Sequence, residues 1–446
     1  MSGAPGVRLA RPEFDINHVI AYGQSLACGY EGWPALSVTA RADSVMLGES
    51  VRSAGEQHPF WHVLGEVGFR PLVATVQDIG SGALLSPAEV AGLAPGTVVM
   101  GETVLEGAVN SWRAHIAGTP GWRAGSRLLA SSCGIGGRTL EALSRGAEIE
   151  LFQRLRDCAA AARAAASARG LSYGVTALLF LQGEQNNWGL DGGTTDRAGY
   201  KSLMLRFYDD FVAEVAIGIA GQTAVPAMFM YQTGGDYASE HMAIPQAQLE
   251  VALERPAVFL AAPSYPVTSK VGHLDANGYR WLGAQFGKVM HRVLTLGLDW
   301  RPLYPLRASV VGRRVYADFH VPVPPLAWGR PFQAHAAQDV ADRGFSVRDA
   351  AGAVAISAVA LDGATAVRIE LSRAPVGGVF LRYADRAHAG RGSLHDSDAT
   401  VADDVYEYAP GVGHYPDAAI DGLVGRPYPL MNWCVGFEIG AAVVRA

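Results

Sequence analysis

Lysine is almost missing from this chain. Of 36 Lys and Arg residues only Lys201, Lys270 and Lys288 are lysines, and the arginines form no cluster or basic helix face. With a formal net charge of −6, the chain lacks the electrostatic footprint of a nucleic-acid binder. Cysteine is scarce too. Cys28, Cys133, Cys158 and Cys434 lie far apart without paired spacing, which excludes a zinc-ligand set and a disulfide framework and predicts buried, reduced thiols. Long apolar runs are also absent. The most apolar one, Val175–Leu181, is strand-sized and too short to cross a bilayer. Met1–Asn17 has no apolar stretch after a basic start, so no secretory leader is read there. The expectation is a cytoplasmic protein with no membrane, nucleic-acid, metal or cofactor partner.

What is present is a sequence of 446 residues, 49% hydrophobic and 17% charged, long enough for more than one core. Up to about residue 298, apolar strand-like runs alternate with helical periods. The strands are His18–Tyr22, Ser126–Ser131, Gly174–Leu181, Val225–Tyr231 and Ala257–Ala261. The helices are Ala147–Ala168, Tyr200–Ile217, Pro245–Glu254 and Ala276–Leu294. That alternation predicts an α/β unit, 1–298, around a parallel sheet. Residues 37–120, rich in Gly, Pro and Ser, read as an irregular excursion above the sheet, with a helical Gly107–Ile116. From residue 299 the helical period disappears. Ser309–Val311, Arg314–Val321, Val354–Leu361, Ala366–Leu371, Gly378–Tyr383 and Asn432–Ile439 predict an all-β, sandwich-like unit over 299–446.

Four segments carry polar chemistry at the ends of predicted strands, where ligands of open α/β sheets bind. The first is Gly23-Gln24-Ser25, a serine after a glycine-containing turn, although Ala27 breaks the Gly-x-Ser-x-Gly elbow. The second, Gly134-Ile135-Gly136-Gly137-Arg138-Thr139, leaves backbone free to approach a ligand and donate N–H groups. The third, Gln182-Gly183-Glu184-Gln185-Asn186-Asn187, sets one carboxylate among amides. The fourth is His273-Leu274-Asp275, just before the last helix, with Asp275 placed as its N-cap. Taken singly, each has an ordinary explanation as a cap, turn or surface loop.

Their order along the chain resembles the SGNH hydrolase superfamily, in its sialate O-acetylesterase-like and acetyl-xylan-esterase-like branch. That branch carries Gly-Gln-Ser, Gly-Gly-Thr/Ser, Gln-Gly-Glu and late His blocks in this order, and the likeness spans about residues 16–296. It implies a flavodoxin-like, three-layer α/β/α fold and a serine esterase acting on a small-molecule or glycan ester, most simply an acetyl ester. Ser25 would be the nucleophile and His273 the general base. An oxyanion would be held by the Ser25 N–H, by Gly136 or Gly137, and by the Gln182 amide. Gln24 and Glu102, with Thr103 and Asn110, would border the substrate.

This chain departs from the pattern twice. Leu26 stands where the branch has Asn, and Lys270 occupies the slot, three residues before the histidine, that commonly holds the triad Asp. Three alternatives follow: Glu184 as the acid, a Ser–His dyad oriented by a backbone carbonyl, or Asp275 or another loop residue. Competing functions are a broader short-chain carboxylesterase or thioesterase, and a carbohydrate-binding protein that has lost turnover. Neither the sugar nor the oligomeric state is fixed by any motif.

Overall fold

The computed structural model describes residues 7–444 except 56–57, 95, 120–121, 271, 336 and 412–415. The leader reading at Met1–Gly6, Pro120 of the excursion and Val271 beside the histidine block fall outside the described residues. Seven strands make the first sheet: β1 (Ile16–Gly23), β2 (Ser44–Leu47), β3 (Phe69–Pro71), β4 (Arg127–Ser132), β5 (Tyr173–Leu181), β6 (Ala227–Gln232) and β7 (Val258–Pro263). They lie in the order β3-β2-β4-β1-β5-β6-β7, parallel except for the β2–β3 pair.

Both faces of the sheet are covered, and the pleat divides β1 between two cores. Ile16, Ile20 and Tyr22 enter one apolar cluster, while Val19 and Ala21 enter the other. The first cluster takes apolar residues of helices Gln153–Ser167, Arg197–Phe211 and Ala243–Glu254, the second those of Val104–Ile116 and Ala276–Met290. These last two helices cross on glycines. A Cβ at Gly283 would stand 2.4 Å from the Val104 carbonyl oxygen, and one at Gly107 the same 2.4 Å from that of Arg280. Bulkier residues would force the axes apart.

The excursion is less irregular than its composition suggests. It contributes β2 and β3 to the sheet and the helix Val104–Ile116 to its cover. The short strands escape the sequence because three or four residues are too few to establish a period.

From Tyr304 onward, eight strands hydrogen-bond in one continuous order, an all-β unit as expected. The join is a single parallel pairing of Tyr304–Val311 with Phe437–Val443, only three residue pairs long. Without it the eight strands would fall into two groups of four, which is what alternation alone suggests. Phe345–Asp349 adds a strand the sequence reading missed, and the last strand lies at Phe437–Val443 instead of Asn432–Ile439. Among the described residues no helix is long and apolar enough to cross a membrane, and all four cysteines are buried thiols.

Candidate active site

β1 is flanked by β4 and β5; the helix Val104–Ile116 on the way from β1 to β4 packs in one cluster and Gln153–Ser167 on the way from β4 to β5 in the other, so the carboxyl end of β1 faces the crevice of the sheet. Gly23 ends the strand at φ +145°, and a Cβ there would stand 1.9 Å from the Leu181 carbonyl oxygen. Only glycine lets β1 and β5 approach this closely. The Gln24 N–H then donates to that same oxygen at 2.9 Å, and the chain turns into a single helical turn, Ser25–Cys28. Gly29, at φ +79°, stops the turn with its N–H on the Ser25 carbonyl.

The helical turn aims Ser25 at His273. Ser25 Oγ and His273 Nε2 are 2.9 Å apart, and His273 Nδ1 lies 3.0 Å from Glu31 Oε2. The hydroxyl, imidazole and carboxylate form a continuous chain. With the proton on Nδ1, where the carboxylate accepts it, Nε2 presents a lone pair to the serine hydroxyl. The three side chains are largely but not wholly covered: Ser25 is 6% exposed, and the side chains of His273 and Glu31 are 21% and 14% exposed.

Glu31 is the carboxylate that sequence reasoning missed. It lies on the segment of the nucleophile itself and returns to the site because Gly29 and Glu31 both take left-handed backbone conformations. A φ of +61° is uncommon for a glutamate, and the Glu31 N–H to Val99 carbonyl bond of 2.8 Å helps hold it there. The signal available in the sequence was Gly29-Tyr30-Glu31, a carboxylate just past a helix-stopping glycine.

Glu184, weighed as the acid from the sequence, is instead hydrogen-bonded by the Tyr231 hydroxyl at 2.5 Å. It is buried, and that burial raises its pKa above the ordinary carboxylate value. Asp275 caps the helix Ala276–Met290 through the Gly278 N–H at 2.6 Å, as expected, and also faces His335 Nε2 at 2.8 Å. The Lys270 ammonium is engaged by Trp33. It donates to the Trp33 carbonyl at 2.9 Å and lies 4.7 Å from the centre of the Trp33 ring.

The expected oxyanion donors divide. Gln182 is consumed: its Nε2 donates to Asn186 Oδ1 at 2.7 Å and to the Arg138 carbonyl at 3.3 Å, while Oε1 accepts from Tyr200 at 2.6 Å. Glu102 is likewise structural. Fully buried, its carboxylate accepts the N–H groups of Leu36 and Ser37 at 2.8 and 2.9 Å and does not border the cleft. Thr103 caps the helix Val104–Ile116, and Asn110 is buried within it. Gly136 lies against Tyr30, whose hydroxyl is 2.4 Å from where a Cβ would sit and whose ring is 5.5 Å from the imidazole of His273. Gly137 is exposed at φ +64°, with no heavy atom within 4 Å of a built Cβ. Gln24 accepts from the Gln185 N–H at 3.2 Å through Oε1. The glycine block itself is tied to the nucleophile's strand by the Ile135 N–H to Gly23 carbonyl bond of 3.0 Å.

No family model matches the chain, and no curated protein matches its sequence. Among solved structures, a carbohydrate acetylesterase from Xanthomonas citri aligns with 95% of this chain and 80% of its own, at 14% identity and a TM-score of 0.53. The likeness is one of fold. A protein from Arabidopsis thaliana (15% identity, 62% of this chain and 99% of that one, TM-score 0.41) overlaps less well. So does a carbohydrate acetylesterase family member from Sinorhizobium meliloti (13% identity, 63% and 99%, TM-score 0.32).

Proposed function

We propose that this chain is a serine esterase of the SGNH type that removes small acyl groups, acetyl foremost, from a carbohydrate. The observation that carries the reading is the Ser25–His273–Glu31 relay, with both hydrogen bonds at or below 3.0 Å. The fold shared with the Xanthomonas citri acetylesterase and the four motif blocks of the SGNH branch support it.

In this reading the Ser25 oxygen attacks the ester carbonyl carbon while His273 Nε2 takes its proton, and Glu31 stabilises the imidazolium. The oxyanion is held by the backbone N–H groups of Ser25 and Gly137 and by the Gln24 amide nitrogen, in place of Gln182. Removing one such donor typically costs about 3 kcal/mol of barrier. When the tetrahedral intermediate collapses, His273 returns the proton to the departing sugar oxygen. A water activated by the same imidazole then hydrolyses the acyl-serine, releasing the acid and restoring the hydroxyl.

Acetate release from a panel of acetylated glycans, with Ser25→Ala as control, tests the reading. The expected result is release by the wild type and a loss of about 10⁴-fold or more in the variant. Equal release by both would move the chemistry away from Ser25. Butyryl esters turned over faster than acetyl esters would favour a broader carboxylesterase.

A further inference from the structure

Four residues beyond Glu184, at the same edge of the sheet as the relay, Trp188 is 48% exposed. Yet it is fixed in place. Its indole N–H donates to the Tyr237 carbonyl at 2.9 Å, an oxygen that also accepts from Asn187 Nδ2 at 2.7 Å, and the two rings lie 5.3 Å apart. Tyr237 packs against the segment that carries His273. A Cβ on Gly272, the residue before His273, would stand 2.9 Å from the Tyr237 hydroxyl. The aromatic pair therefore borders the relay on the imidazole's side.

We infer that Trp188 and Tyr237 form the platform on which a pyranose ring stacks while its ester faces Ser25. This rests on the esterase reading and deepens it by assigning the sugar subsite. A wide aromatic face held at low conformational cost suits the C–H face of a sugar. The rim around it is polar, which suits hydroxyl groups better than an acyl chain: Gln185 donates to Asp191 at 2.8 Å, and Ser239 to Asn187 at 3.1 Å. The turn carrying Tyr237 is braced from the second sheet's side of the molecule. The Gly235 N–H donates to the Gly390 carbonyl at 3.1 Å, and Arg391 reaches Asp236 at 3.3 Å. A Cβ at Gly390 would stand 2.4 Å from the Gly235 backbone nitrogen, so the brace is tight.

The test compares glucose pentaacetate, a pyranose ester, with ethyl acetate, which has no ring to stack. The wild type should prefer the pyranose ester in kcat/KM. Trp188→Ala should lower the ratio of the two kcat/KM values about tenfold, through KM and not kcat, and Trp188→Phe should recover most of it. A wild type that hydrolyses ethyl acetate but not the pentaacetate overturns the platform, as does a ratio that Trp188→Ala leaves in place. In both cases the Ser25 reading stands if Ser25→Ala still abolishes ethyl acetate turnover. Ethyl acetate turnover that survives Ser25→Ala would sink the esterase reading itself.

Discussion

Three carboxylates lie near the relay, and their surroundings assign them different work. Glu31 shares its Oε2 with the imidazole of His273 at 3.0 Å. Glu184 is bonded by Tyr231 and pushed toward its protonated form by burial, while Asp275 is spent on a helix N-terminus. A group that must steady an imidazolium has to point at Nδ1, and of the three only Glu31 does. Glu31→Gln should therefore cut kcat by up to about 10⁴-fold with little change in KM, as loss of a triad carboxylate does elsewhere. Glu184→Gln should stay within a few-fold of wild type. Steady-state kinetics on an aryl acetate decides between them, and the reverse ranking would restore Glu184. The sequence pointed to Ser25, His273 and the capping role of Asp275 because each follows a strand or precedes a helix at a recognisable spacing. Glu31 could not be found that way. Its approach to His273 depends on two left-handed residues, and a backbone reversal of that kind leaves no periodic trace.

At the scale of the element, the helix Val104–Ile116 shows how a motif can look functional and be structural. Thr103 and Glu106 form a capping box, with the Thr103 N–H on Glu106 Oε2 at 2.9 Å. The other oxygen, Oε1, is buried with no hydrogen-bond partner among the described residues. Burial first, and the charge of Glu102 second, raise the Glu106 pKa from 4.5 to about 7. Between those two values the folded chain holds a proton that the unfolded chain has released, so this group's contribution to stability falls as pH rises from about 4.5 to 7. Glu106→Gln keeps the cap and removes the titration. Its urea midpoint should overtake that of the wild type across this window, with the gap constant above it; parallel pH profiles would refute the assignment. The strands of the first sheet were legible to within two or three residues because a buried parallel strand is a continuous apolar run. The β2–β3 pair, at four and three residues, was not.

Across the whole molecule, residues 398–407 and 428–432 pack onto the helix that follows His273, so the loops of the second unit help fix the imidazole. Trp281 stacks on Tyr428 at 5.3 Å, Asn277 donates to the Glu407 carbonyl at 2.8 Å, and Gln232 exchanges two hydrogen bonds with Gly436. Lys288 anchors this seam. Its ammonium donates to Asp398 at 2.9 Å, to Asn432 Oδ1 at 2.7 Å and to the Leu430 carbonyl. Lys288→Met would leave Asp398 facing a mostly buried, uncompensated site and should cost roughly 3–5 kcal/mol in denaturant stability. A midpoint equal to wild type would mean the seam does not depend on the pair. None of these contacts was visible in the sequence, because they join residues more than 100 positions apart that no local pattern links.

The central claim is that the residue 25 hydroxyl is activated by its imidazole partner, and covalent labelling tests it most directly. Treatment with diisopropyl fluorophosphate followed by peptide mass spectrometry should place a single adduct on Ser25 in the wild type and almost none in His273→Ala. An adduct on another serine, or equal labelling of both proteins, would contradict the account.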